Sequence, residues 1–207
     1  MSARGGPSAQ SATVTKVTDS EADQVAELFA LAFYGDPTWG WAFPAAERRI
    51  EHHHIWWALY VRSALPYGWV LMTSDGGAAA LWIPPGEREL TEEDETRVEP
   101  LLRELVGPHA DDVLTLLERF DSNHPQEPPH YYLSLLGTHP DHRGHGKGMA
   151  LLAASLADMD RRGIPSYLES SNRANDFRYE RLGYVQVGEF SAPAGGPTVA
   201  CMWRDAR

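Results

Sequence analysis

The stretch Pro140-Asp141-His142-Arg143-Gly144-His145-Gly146-Lys147-Gly148 joins an apolar, strand-like run, Tyr131 to Thr138, to a helical pattern. That pattern carries Met149, Leu152, Leu156 and Met159 on one face at three- and four-residue steps. Three alternating glycines permit positive φ and close backbone approach to a ligand. The turn feeds a helix N-terminus, whose free N–H groups and dipole favour an anion, and Arg143 and Lys147 add positive charge. A phosphate-bearing ligand is the natural occupant. The P-loop pattern fails, because Gly148 stands where Ser or Thr must follow the lysine. The dinucleotide fingerprint fails at Met149, where its third glycine belongs.

Downstream, Gly163 and Pro165 stop the helix, and Ser166 to Ser171 reads as a short strand. A short helix over Arg173 to Leu182 ends at Gly183, and Tyr184 to Phe190 and Thr198 to Trp203 alternate as strands do. Upstream, Thr13 to Val17 reads as a first strand. Ser20 with Asp23 suggests a capping box before a helix carrying Val25, Leu28, Phe29 and Phe33. Tyr34 to Phe43, with Gly35, Pro37 and Gly40, reads as a loop, and Ala45 to Leu65 as an amphipathic helix. Trp69 to Thr73 and Ala78 to Ile83 form a hairpin around Ser74-Asp75-Gly76-Gly77. Thr91 with Asp94 caps a helix burying Val98, Leu101, Leu102 and Leu105, and Asp111 to Phe120 continues as another. Asn123 to Pro129, rich in proline, is a linker loop.

The chain has 207 residues, enough for one domain with a sizeable core and short for two. Residues 1–12 hold no apolar signal core and are expected to be disordered, with a single domain over 13–207. No apolar run is long enough for a membrane span. Cys201 is the only cysteine, which rules out an intramolecular disulfide or a cysteine metal cluster and agrees with a cytoplasmic location. A net charge of −11 disfavours nucleic acid. The same charge either attracts cationic substrates or simply maintains solubility. Consecutive helical residues diverge by about 100°, so His52-His53-His54 cannot share one metal, and no metal is expected.

The string from Pro140 to Gly148 resembles the signature of the GNAT acetyltransferases, Pro-x-x-(Arg/Gln)-Gly-x-Gly-x-Gly between strand and helix. A second likeness is Asn172-Arg173-Ala174-Asn175-Asp176-Phe177-Arg178-Tyr179-Glu180-Arg181-Leu182-Gly183-Tyr184. Within that family, Glu127 to Leu133, Leu168 to Ser171, Tyr179 to Tyr184, and Gly196-Pro197 before Cys201-Met202 resemble the subgroup of puromycin N-acetyltransferase and similar antibiotic-modifying enzymes. The likeness spans about 126–204. The first half matches only through Gly77 to Trp82. Arg178 departs from the Pro-Phe that this subgroup carries before the tyrosine; it either alters the site or faces solvent.

The resemblance implies an α/β fold with a mixed, mostly antiparallel sheet of six to seven strands flanked by helices and splayed in a V at the cofactor strand. It implies acetyl-CoA as donor. The turn Arg143, Gly144, His145, Gly146, Lys147 and Gly148 would hold the pyrophosphate, and Leu136, Gly137 and Thr138 would pair with the pantetheine arm. Tyr179 would lie near the CoA sulfur, and either Asn172 or Asn175 would contact the cofactor. It implies direct attack by a neutral amine in a ternary complex, an oxyanion held by strand N–H groups, and Tyr179 as general acid. For the base, Glu169, His130, Glu127 and a water stand as candidates. Trp39, Trp41, Trp56, Trp57 and Tyr60 line an acceptor cleft or fill the core, and Glu87 to Glu95 reads first as a solvated helix start and second as a patch that attracts the substrate.

The expected activity is acetylation of a primary amine on a small molecule, an antibiotic or a metabolite. A protein N-terminal or lysine acetyltransferase and a non-catalytic acyl-CoA sensor are the alternatives, and a homodimer is among the expected states.

Overall fold

Seven strands and seven α-helices interleave along residues 13–207, the part of the chain that the computed structural model describes. The segment 1–12, expected to be disordered, lies outside the described residues. In chain order the elements are β1 (Val14–Lys16), α1 (Ala22–Phe33), α2 (Pro37–Ala42), α3 (Arg49–Ala64), β2 (Val70–Thr73) and β3 (Ala78–Ile83). There follow α4 (Glu92–Val106), α5 (Ala110–Asn123), β4 (Tyr131–Thr138), α6 (Lys147–Arg162), β5 (Ser166–Ser170), α7 (Asp176–Glu180), β6 (Val185–Ser191) and β7 (Thr198–Arg204).

The sheet runs β1-β2-β3-β4-β5-β7-β6, and only the β4–β5 pair is parallel. β3 is buried along its whole length, and the period of two sorts its side chains onto opposite faces. Ala79, Leu81 and Ile83 join the core under α1, α3 and α4. Ala78, Ala80 and Trp82 join the other core, against Leu151, Leu152, Leu156 and Met159 of α6. Truncating Leu152, which is fully buried, to Ala would cost about 2–5 kcal/mol. A third cluster packs Leu116 of α5 on Tyr167, Phe190, Val199 and Cys201.

Three local expectations differ from the structure. The segment read as a loop over Tyr34 to Phe43 contains α2. Asp36 caps it by accepting from Thr38 N at 2.9 Å and Trp39 N at 3.1 Å, and Pro37 takes the first turn. Asp-Pro is a helix-start signal that outweighs the two glycines here. Before α1 the capping box is Thr18 with Glu21, whose Oε2 accepts from Thr18 N at 2.9 Å, rather than Ser20 with Asp23. The helix expected over Arg173 to Leu182 divides into a 3₁₀ turn, Arg173–Asn175, and the short α7.

β4 carries the feature that creates the site. It pairs with β5 only from Tyr131 to Leu133, opposite Ser166 to Leu168, and then leaves it. On its other edge, Leu133 faces Trp82 and Leu135 faces Leu81, so Ser134 is an extra, bulged residue. A bulge bends a strand and breaks the pairing ladder. Beyond Ser134, β4 remains paired to β3 on one side and is free of β5 on the other. The V-shaped splay is this divergence.

Candidate active site

Two cavities open on the splay. The first, of about 520 Å³, is bounded by the end of β4, the glycine turn, the start of α6 and the segment from Asn172 to Tyr179. Its walls include Leu136, Gly137, Thr138, Arg143, Gly144, Gly146, Lys147, Gly148, Asn172, Asn175 and Tyr179. Tertiary structure thus brings together all but one of the residues expected to bind the cofactor. The exception is His145, which is exposed and bonds through Nδ1 to Arg143 O at 2.9 Å. Both asparagines reach the wall. Asn172 Oδ1 caps the 3₁₀ turn at Ala174 N, and Asn175 Oδ1 accepts from Arg178 at 2.8 Å. Arg178 therefore borders this cavity, as do Asp36 and His142, which no local sequence signal had placed there.

The glycine turn has physical reasons at two positions. Gly146 sits at φ +73° at the start of α6, a conformation that side chains with a Cβ rarely adopt. At Gly148 a Cβ would lie 2.5 Å from Thr138 Oγ1, so only glycine lets α6 start against the end of β4. The charges are less simple than the sequence suggests. Lys147 Nζ pairs with Asp75 Oδ2 at 2.6 Å, across to the β2–β3 hairpin, and contacts His142 Nδ1 at 2.5 Å. That ion pair, with help from Thr73 and Gly77, holds Asp75 down at about 2. Arg143 donates to Ala32 O at 2.8 Å.

The second cavity, of about 490 Å³, lies between the open edge of β4, α4 and α5. Trp39, Trp57, Tyr60 and Phe120 line it; Trp39 stacks on Phe120 at 6.1 Å and meets Trp57 edge-on at 4.7 Å. Trp56 is core and Trp41 packs on His109, so the aromatic residues named from the sequence divide between cleft and core. Phe33, Leu136 and Tyr179 border both cavities, which therefore meet at the splay.

Tyr179 stands at that junction. Burial, then the charges of Asp36 and Asp176, push its phenol up to about 12 and keep it protonated at neutral pH. Asp36 is itself fixed by Ser171 Oγ at 2.8 Å, while Thr38 Oγ1 donates to Ser171 O at 2.8 Å, tying α2 to the end of β5.

Glu169 borders the second cavity, whereas His130 borders neither. His130 bonds to Pro128 O at 2.8 Å and to His124 Nε2 at 3.1 Å, behind Trp203 and Tyr167. The residue that sequence reading passed over is Glu89. It sits in the acidic stretch read first as a solvated helix start and second as a substrate-attracting patch, and it borders the second cavity, where the bulged Ser134 Oγ donates to its Oε1. Burial, opposed by that bond and supported by the charges of Glu169 and Asp121, raises it to about 7. A base near pH 7 is suited to taking a proton from an ammonium.

Among the described residues no group of three or more His, Cys, Asp or Glu gathers as for a metal, and no helix is long and apolar enough to cross a membrane.

Residues 111–184 match the model of the acetyltransferase (GNAT) family. A Corynebacterium glutamicum structure described as histone acetyltransferase HPA2 and related acetyltransferase aligns with 96% of this chain and 98% of its own, at 22% identity and TM-score 0.67. Arylalkylamine N-acetyltransferase 2 from Aedes aegypti aligns over 94% and 99%, at 13% identity and TM-score 0.64. An agmatine N-acetyltransferase in its apo form aligns over 95% and 100%, at 16% identity and TM-score 0.61. The fold is the GNAT fold, and the family match supports an acetyltransferase.

Proposed function

We propose that the protein transfers an acetyl group from acetyl-CoA to an amine of a small molecule, by direct attack in a ternary complex. The observation that carries this is the meeting of a glycine-turn cavity and an aromatic, acid-lined cavity at Phe33, Leu136 and Tyr179. The donor takes the first cavity, with its pyrophosphate at the N-terminus of α6 and its pantetheine along the free edge of β4. The acceptor takes the second. Glu89 accepts the ammonium proton, directly or through water. The amine nitrogen then attacks the thioester carbonyl, whose oxyanion is met by β4 N–H groups beyond the bulge. As the C–S bond breaks, Tyr179 gives its proton to the thiolate, and the second proton, shed by the nitrogen as it becomes the amide, passes through water to restore the Tyr179 phenol.

A concave cavity with aromatic walls favours a small amine over a protein substrate, and the arylalkylamine and agmatine enzymes that share this fold agree with that class. The likeness to puromycin-modifying enzymes over 126–204 makes puromycin one amine to try. The test is thiol release from acetyl-CoA across a panel of arylalkylamines, diamines and puromycin, with Tyr179→Phe alongside. The expected result is turnover on at least one amine and a loss in kcat of about a hundredfold or more for the variant. Tight acetyl-CoA binding without release on any amine would favour the sensor. An unchanged kcat in Tyr179→Phe would remove it as the acid.

A further inference from the structure

Among the described residues, the acceptor cavity is bordered by six carboxyl groups, from Glu89, Glu95, Glu99, Glu118, Asp121 and Glu169, and by no Lys, Arg or His. Two of them are answered from outside. Arg88 binds Glu95 at 2.7 Å, and Arg103 binds Glu99 at 2.7 Å. Glu89 is held by Ser134.

Glu169 stands apart from all of these. Its side chain is 2% exposed, and neither carboxyl oxygen has a hydrogen-bond partner. The nearest basic group, His124 Nδ1, is 3.7 Å from Oε1, beyond hydrogen-bond reach. The Tyr132 and Tyr167 hydroxyls lie beside it, and Glu169 raises both phenols through its charge and a loosely directed contact, but neither makes a well-formed hydrogen bond to it; Tyr167 donates instead to Asn123 O at 3.4 Å. A buried carboxyl with both oxygens unbonded is a costly arrangement for a fold to keep. A cationic donor arriving with a ligand would answer it.

That cation is not the reacting amine. Leu168, just before Glu169, pairs with Leu133, while the two cavities meet at Leu136. Glu169 itself stands one residue further along, at the level of Ser134, so two residues of strand, about 7 Å, separate it from Leu136. The reacting nitrogen gives its proton to Glu89 and attacks as a neutral amine, so it cannot remain the cation that answers Glu169.

We propose that the acceptor is a dicationic amine, and that Glu169 binds its second, non-reacting ammonium or guanidinium group. The first nitrogen then lies at the junction, and Trp39, Trp57 and Phe120 cover the apolar spacer between the charges. Glu169 is a specificity residue for this reaction rather than its base. The assignment rests on the acetyltransferase reading for the meaning of the junction.

The experiment compares matched amines that differ only in the second charge: putrescine against butylamine, and cadaverine against pentylamine. Initial rates with acetyl-CoA are measured for the wild type and Glu169→Gln, and amine binding is followed by calorimetry without donor. Glu169→Met, which removes the charge without adding an amide, repeats the comparison should Gln fail to fold, as judged by acetyl-CoA binding. In the wild type at least one diamine should exceed its monoamine by roughly tenfold or more in kcat/KM, chiefly through KM. In the variant that preference should collapse to within about threefold. A wild type that ignores the second charge overturns the proposal, and so does a preference that survives in the variant. An equal fall in kcat on both amines makes Glu169 the base and overturns it too. The two readings separate cleanly. Diamine binding that depends on Glu169 without any acetylation sinks the acetyltransferase and keeps the cation site. Acetylation of monoamines with no diamine preference does the reverse.

Discussion

Ser134 Oγ donates a hydrogen bond to Glu89 Oε1 at the residue where β4 bulges and parts from β5. One residue thus opens the strand edge and holds the candidate base beside it. Because burial raises Glu89 to about 7, kcat/KM for the amine should rise with pH through an inflection near 7, as the carboxyl loses its proton. Glu89→Gln should remove that inflection and lower the rate by about 10²–10⁴. Ser134→Ala withdraws a bond that favours the charged form, so the inflection should move to higher pH. A pH–rate profile of the three proteins with one fixed amine checks all of this, and an inflection that persists in Glu89→Gln would assign it elsewhere.

At the glycine turn, Gly148→Ala should abolish acetyl-CoA binding or reduce it at least about tenfold, since the added Cβ would meet Thr138 Oγ1 at 2.5 Å and push α6 off β4. Gly148→Ala combined with Thr138→Ser, which keeps the clashing oxygen, should not recover. Combined with Thr138→Ala, binding should return in part. Calorimetric titration with CoA distinguishes these cases.

Lys147 is tied to Asp75 rather than free at the turn. Asp75→Asn keeps the Oδ1 that accepts from Thr73 and Gly77 and loses the charge on Lys147. Such exposed pairs are worth about 1 kcal/mol or less, so CoA should bind a few-fold tighter, with the gain fading as salt rises. A weaker Kd would show that Lys147 needs Asp75 to be positioned.

His53 is fully buried on α3, with Nε2 3.3 Å from Trp39 O and its ring edge-on to Phe43 at 5.0 Å. Burial lowers it to about 4. The folded protein therefore refuses a proton that the unfolded chain takes below about 6.5. Its contribution is intact above that pH and is lost progressively on acidification toward 4, by on the order of 3 kcal/mol in all. Urea unfolding at pH 7, 5.5 and 4.5 should show the decline, and His53→Gln, although less stable at pH 7, should show a shallower one.

Much of the donor side was legible in the chain, because it is local. A strand, a glycine turn and a helix are consecutive, so Arg143 to Gly148 had to share one corner, and the spacing to Tyr179 followed the family's pattern. Strand and helix periods were readable wherever one face is buried, as in β4 and α6. The acceptor side was less legible. Glu89 and Glu169 are 80 residues apart in number; Glu169 stood only as one of several base candidates, and nothing near Glu89 marks it as facing a cavity. Asp36 was hidden within a glycine-rich segment that reads as a loop, although it caps a helix.

What the sequence determined alone was structure carried by neighbouring residues: a turn that only glycines permit, the helix that follows it, and the alternation of buried and open positions. What only the tertiary structure decided was which distant groups share a dielectric environment. The bulge at Ser134 separates β4 from β5, α4 and α5 close over the gap, and burial raises Glu89 from an ordinary carboxylate to about 7. A side chain's charge is set by what surrounds it in space, and the surroundings of Glu89 and Glu169 come from elements far away along the chain.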